Sequence, residues 1–397
     1  MESIRELFKI GVGPSSSHTM GPQRICEMAK IKFPEATNYN VTLYGSLALT
    51  GKGHLTDYIV EKTLEPLPVK IIWQMKALSK HPNGMKIEAF KDQNILGELV
   101  AYSVGGGSVM YENEVFEKPQ AIYKHNSFAK IKDYIGDTQS DLYSYILQTE
   151  GEDFEKYLKE ILDTMEACVK EGLGQEGVLP GKLKLKRVAK SLNELAIESQ
   201  DERMKITSYA YAVSEQNASG GKIVTAPTCG ASGVLPALMY YAKHDMHFNE
   251  QERLKALAIA GLVGNLVKTN ATISGAEGGC QAEVGTATAM SAAAYASLLG
   301  LDIQGIEYAA EMGLEHQLGL TCDPVGGYVQ IPCIERNGFG ALRALDAAVY
   351  ARELGKLRQP RVSFDAVVKV MRDTGHDLDA AYRETSLGGL AKELSLE

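Results

Sequence analysis

The runs VTLYGSLAL (residues 41–49), PVKIIW (68–73), MKIEAF (85–90) and GELVAYSV (97–104) decide the first part of the fold. Each is short, β-type in content and bounded by Pro, Gly or Asn turn signals, HPNG at 81–84 among them, so consecutive strands with short turns are expected in an antiparallel or mixed sheet. Upstream, Ile25, Met28, Ala29 and Ile31 follow a Ser- and Thr-rich stretch at a spacing that predicts a helix over 22–31. From about residue 139 the texture changes. Segments rich in Ala, Leu, Met and Glu at 154–169, 188–199, 251–268, 283–299 and 342–354 repeat helical periodicity, with hardly a strand-like run between them. The fold class is therefore α+β: a mixed α/β domain over 1–117, a linker over 118–138 where periodicity fades, and an all-helical domain over 139–397.

At 397 residues the chain suits about two or three domains and can bury a full core. Hydrophobic residues make up 45% and charged residues 23%, and 41 Lys and Arg against 50 Asp and Glu give a net charge of -9. That balance argues against disorder and against a nucleic-acid partner, which would ask for a basic excess; the one basic run, Lys182, Lys184, Lys186 and Arg187, reads as a solvated face. The first ten residues, MESIRELFKI, hold no secretory pattern, and residues 284–301 are too rich in Thr, Ser and Gly to span a bilayer, so a cytoplasmic protein with no membrane partner is expected. Six cysteines are too few for a disulfide framework at this length, and four of them lie after residue 228.

Two nucleotide motifs fail on inspection. YGSLALTGKG (44–53) places five residues where a phosphate loop needs four, and GVGPSSSHTMGP (11–22) has Ser16 where a dinucleotide fingerprint needs its third Gly. What residues 13–21 do offer is three hydroxyls, Ser15, Ser16 and Ser17, followed by His18 and Thr19, just ahead of the expected helix. Such a stretch serves either as a helix cap with a surface histidine or as a cradle for a carboxylate or phosphate, with His18 as an acid or base beside it. His54, flanked by Gly51 and Gly53, reads by itself as a turn residue.

Cys280 lies in GGCQAEVG, Cys322 in LTCDPVGG and Cys333 in QIPCIER, with no CxxC pair. Structural zinc favours close pairs. Three dispersed cysteines beside Gly or Pro can instead hold an iron–sulfur cluster, and spacing alone is equally compatible with buried structural thiols. Cys26 and Cys168, on helical faces, read as core.

Together, GPSSSHTMGP (13–22), LYGSLALTGKGH (43–54), TAPTCGASGVLPA (225–237), GAEGGCQAEVG (275–285), TCDPVGGYVQIPCIERN (321–337) and ETSLGGLA (384–391) resemble the bacterial iron–sulfur L-serine dehydratases, in their single-chain form with β domain before α domain. The resemblance runs over nearly the whole chain. It implies that Cys280, Cys322 and Cys333 ligate a [4Fe-4S] cluster with one iron left open, that Ser15, Ser16, Ser17 and Thr19 belong to the substrate loop, and that His18 and His54 are the active-site histidines. It implies an L-serine ammonia-lyase releasing pyruvate and ammonia, and a homodimer as its assembly. A related lyase for L-threonine or L-cysteine, or a non-catalytic amino-acid or iron–sulfur sensor on the same scaffold, are the alternatives. Cys229 stands where other members have Asn and is not counted as a ligand. Many single-chain members end in a cysteine able to cap the open iron; no Cys follows Cys333 here, so a cluster more labile to oxygen is expected.

Overall fold

The computed structural model describes residues 1–112, 119–384 and 386–394. Its strands are β1 (Ile10–Val12), β2 (Asn38–Tyr44), β3 (Val69–Gln74), β4 (Gly84–Lys91), β5 (Asn94–Gly105), β6 (Ser108–Tyr111) and β7 (Lys222–Val224). Strands β2 to β6 form one mixed sheet in the order β3-β2-β4-β5-β6, parallel between β2 and β3 and antiparallel elsewhere. The alternation expected of a half-buried strand is present in β2, where Tyr39, Val41 and Leu43 point inward opposite Ala89, Ile87 and Met85 of β4. That face closes on Ile25, Cys26 and Ala29 of the helix Gly21–Lys32 and on Val60 and Leu64 of the helix Thr56–Leu64. The parallel β2–β3 pair requires a crossover, and the stretch that makes it carries both the Thr56–Leu64 helix and His54.

The rest is mostly helical. The helix Thr286–Leu298, TATAMSAAAYASL, is buried from Thr286 to Ala296 and contacts the helices Glu250–Asn270, Ile303–Glu315 and Cys333–Gly355. Small side chains all round this helix are what let three neighbours approach it closely. The Glu250–Asn270 helix starts with a capping box in which Asn249 and Glu252 exchange side-chain and backbone hydrogen bonds.

Three features depart from the sequence reading. Residues 128–138, inside the stretch expected to be linker, form the helix Phe128–Thr138; its apolar set Phe128, Ile131 and Ile135 is too sparse to show a clear period but is buried. The expected boundary at 117–118 lies outside the described residues. The helical part also takes in a strand, because β7 pairs antiparallel with β1 from the start of the chain. Residues before β1 follow it there: Ile4, Leu7 and Phe8 are buried in the helical core, and Glu150 accepts from the Ile4 N–H at 2.7 Å and from the Ser3 and Tyr123 hydroxyls. Thr225 fastens the same segment, donating to the Leu7 carbonyl and accepting from the Lys9 N–H. Phe8 therefore belongs to the helical core, and Phe8→Ala is expected to cost about 3–5 kcal/mol in a urea unfolding measurement, the range for emptying a buried aromatic site.

Candidate active site

Between β1 and the Gly21–Lys32 helix, residues Ser16–Met20 form a π-helical turn. Ser15 caps it, its Oγ accepting from the His18 N–H at 3.2 Å. A second π-helical turn, Gln281–Gly285, sits next to Cys280 at the head of the central Thr286–Leu298 helix. Such turns carry an extra residue against the helical register and recur at functional sites.

The two turns border one cavity of about 420 Å³. Ser15, Ser16 and Ser17 line it together with Cys280, Cys322 and Cys333, and His54 and Glu384 are part of the same wall. His18 and Thr19 do not line it. The Thr19 hydroxyl accepts from the Ser15 N–H and donates to the His54 carbonyl at 2.9 Å, so it ties the serine loop to the histidine loop from behind. Thr56 does the same for His18, donating to its carbonyl at 2.7 Å.

The two histidine rings stack with centroids 4.6 Å apart. His18 is held at both nitrogens, Nδ1 by Ser17 at 2.8 Å and Nε2 by Ser46 at 3.0 Å. In His54 the Nδ1 lies 3.0 Å from the Thr50 carbonyl. A carbonyl only accepts, so Nδ1 carries the hydrogen and Nε2 presents a lone pair. That Nε2 stands 3.8 Å from a carboxylate oxygen of Glu384. Burial, and then the charge of His54, hold His18 well below the usual imidazole value, and burial lowers His54 too, so both rings are neutral near pH 7. The His54 loop reaches the thiol side because Gly53 has no side chain: a Cβ there would lie 2.9 to 3.0 Å from the carbonyl oxygens of Gly327 and Gly326.

The three thiols come from separate segments. Cys280 precedes the second π-helical turn, Cys322 lies in a loop bridged to Arg383, and Cys333 is the first residue of the Cys333–Gly355 helix, whose N-terminus favours a thiolate. All are free. Burial pushes the Cys280 thiol up to about 11 against the pull of Arg336, and burial followed by the Glu283 charge raises Cys322 further. Cys333 is raised by burial and then by the charge of Cys280. Glu283 sits among them, accepting from the Thr228 hydroxyl at 2.6 Å with its other oxygen 3.9 Å from the Cys322 sulfur. Gly275 leaves it room, since a Cβ there would be 2.5 Å from that carboxylate. Among the described residues, no three His, Cys, Asp or Glu side chains converge as ligands of a single ion. A four-iron cube sets a different requirement, one thiolate on each of several irons, and three soft, buried thiols around a common space fit it.

Two family models match the chain, serine dehydratase beta chain over residues 3–68 and serine dehydratase alpha chain over 79–391. The chain belongs to the serine dehydratase family. Among curated members, L-serine dehydratase 2 of Escherichia coli strain K12 is 37% identical over 454 residues, covering 99% of each chain. The L-serine dehydratase of Helicobacter pylori strain 26695 is 38% identical with 99% of each chain covered, and that of Streptomyces coelicolor is 38% identical with 98% of each. The beta-chain match precedes the alpha-chain match in this family member, and the five-stranded sheet is divided between them, with β2 in the first and β4 to β6 in the second. No helix among its described residues is long and apolar enough to cross a membrane.

Sequence reasoning passed over Ser46, Glu283 and Glu384 although each lies in a quoted motif. Carboxylates are common, and nothing local says that residues 283 and 384 share a cavity with His54; only the density of Gly around them was a signal. Burial pushes Glu384 up to about 8, with Glu283 adding to it, and burial raises Glu283. These groups imply opposed pH effects on stability. Below the ordinary imidazole value of 6.5 the unfolded chain takes up protons that buried His18 and His54 refuse, so their contribution is lost as pH falls through that window. Raised carboxyls act the other way, losing stability as pH rises from 4.5 toward their folded values. A difference isolates the imidazoles: between pH 7 and pH 5, His18→Asn is expected to lose less of its urea midpoint than the parent does.

Proposed function

We propose that this chain converts L-serine to pyruvate and ammonia in the cytoplasm, with Cys280, Cys322 and Cys333 holding a [4Fe-4S] cluster. The observation that carries the reading is the neutral His54, its Nε2 lone pair at the wall of a cavity shared by three hydroxyls and three free thiols. Free thiols suit a reducing compartment. The names of the curated relatives supply the substrate, and the cavity volume falls in the range of small-molecule sites.

When bound on three thiolates, the cluster supplies an iron without a protein ligand, a Lewis acid that eases departure of the substrate hydroxyl. The chain's own residues meet the other demands. Ser15, Ser16 and Ser17 offer hydroxyl donors to the substrate carboxylate. His54 takes the α-proton at Nε2, and its Nδ1–H stays on the Thr50 carbonyl, which fixes the ring and spreads the positive charge as it forms. His18, closed in by Ser17 and Ser46, supports the face of His54 and acts as a positioning residue. Loss of the α-proton and of hydroxide leaves aminoacrylate, which tautomerises to the imine and takes up water to give pyruvate and ammonia, so the net reaction needs no oxidant.

The test is purification without oxygen, iron and sulfide per chain, and pyruvate release from L-serine with L-threonine and L-cysteine in parallel. About four irons with serine turnover is the expected result. Zinc or no metal in protein never exposed to air would sink the cluster assignment, and iron with no turnover on any of the three would favour a sensor. Cys322→Ala is expected to lose iron. His54→Ala is expected to keep it while turnover falls about 10²- to 10⁴-fold, the usual contribution of a positioned base.

A further inference from the structure

Glu384 is a charged side chain of this cavity, beside His54, for which the reading above has no use. It is half-buried in the wall, and its carboxylate stands 3.8 Å from His54 Nε2. Among the described residues no Lys or Arg is within ion-pair distance of it; of the basic groups around the cavity, Arg336 pairs with Asp323 and Lys268 with Glu2. The neutral imidazole turns a lone pair toward it, which gives the carboxylate nothing to accept.

The backbone holds this side chain in place at a cost. Glu384 sits at φ 57, in the left-handed region that non-glycine residues avoid, a conformation worth about 1–3 kcal/mol and kept only where surrounding contacts enforce it. The enforcing contacts come from the cysteine loop. The Glu384 N–H donates to the Cys322 carbonyl at 2.8 Å, the Ser386 hydroxyl donates to the Pro324 carbonyl, and the Leu390 N–H donates to Asp323. The carboxylate is therefore indexed to the same loop that carries Cys322.

Resting on the proposed serine reaction, we infer that Glu384 receives the α-ammonium group of the substrate and is what makes the site prefer an α-amino acid to an α-hydroxy acid. The argument is geometric. The α-proton and the α-nitrogen are attached to one carbon, so with the proton facing His54 Nε2 the nitrogen can be turned to within hydrogen-bond reach of an oxygen 3.8 Å from that atom. The cavity supplies hydroxyls for the carboxylate and thiols for the metal, and Glu384 supplies the remaining charge that serine requires. A primary ammonium is the charge-assisted hydrogen-bond partner that the Glu384 carboxyl lacks among the described residues.

The test uses L-serine and L-glycerate, which differ only in carrying ammonium or hydroxyl at the α-carbon, titrated calorimetrically without oxygen. His54→Ala holoenzyme serves as the slow-turnover background. Its preference for L-serine is expected to fall about 10- to 100-fold on adding Glu384→Gln, the loss that follows when a charge-assisted hydrogen bond is removed. Glu384→Asp in the same background is expected to restore part of the preference, and it provides the comparison should the Gln variant lose iron. Equal weakening of both ligands, as from a merely structural role, or an unchanged preference overturns the inference. Failure of the underlying reading looks different: the parent enzyme then releases no pyruvate from L-serine, whatever residue 384 is.

Discussion

One threonine hydroxyl joins the parts on which this site depends. Thr19 accepts from the Ser15 N–H and donates to the His54 carbonyl, so one buried hydroxyl bridges the serine loop and the histidine loop. Neither loop belongs to regular sheet or helix along its length, and loops are placed by whatever satisfies their backbone polar groups. Here the satisfying group is a neighbour's side chain. With the two loops fixed to each other, the stacked imidazoles follow, and the lone pair of His54 is presented to the cavity instead of being lost in the core.

The electrostatics of the cavity follow from burial more than from any pair of charges. Imidazoles are pushed toward neutrality on one side, and thiols and carboxyls toward protonation on the other. A protein evolved for stability alone would not gather Cys280, Cys322, Cys333, Glu283 and Glu384 around one space. The arrangement makes sense as a place that waits for positive charge, whether metal or substrate. It illustrates a general cost, in that sites built for chemistry are held against local preference by the structure around them.

Much of this was legible in the chain before any coordinates. Short β-type runs bounded by turn signals at 41–49 and 85–90 announced the sheet, and the helical periodicity of 283–299 announced the central helix. The hydroxyls of residues 15–17, His54 and the three late cysteines stood out by their Gly-flanked settings, and they line one cavity. Pairing over long separations was not legible. Nothing local in Ile10–Val12 says that its partner is Lys222–Val224, because a three-residue strand has too little pattern to specify an edge. Nor could spacing separate the roles of His18 and His54; the difference lies in what each ring nitrogen touches, and Ser46 and Thr50 show their part only once the loop is folded.

The pairing of β1 with β7 also sets an order of events during synthesis. Residues 10–12 leave the ribosome long before residues 222–224 exist, and the same segment carries the apolar side chains that fill the helical core. The sheet can close behind them while they wait. Until the later helices are made, that segment has no place to bury itself, and the serine loop attached to its end has nothing to face. Cys322 and Glu384 come later still, so the cavity is among the last things the growing chain completes. An enzyme laid out in this way would remain inert as a nascent chain, its thiols gathered only when nearly all of the protein is present to enclose them.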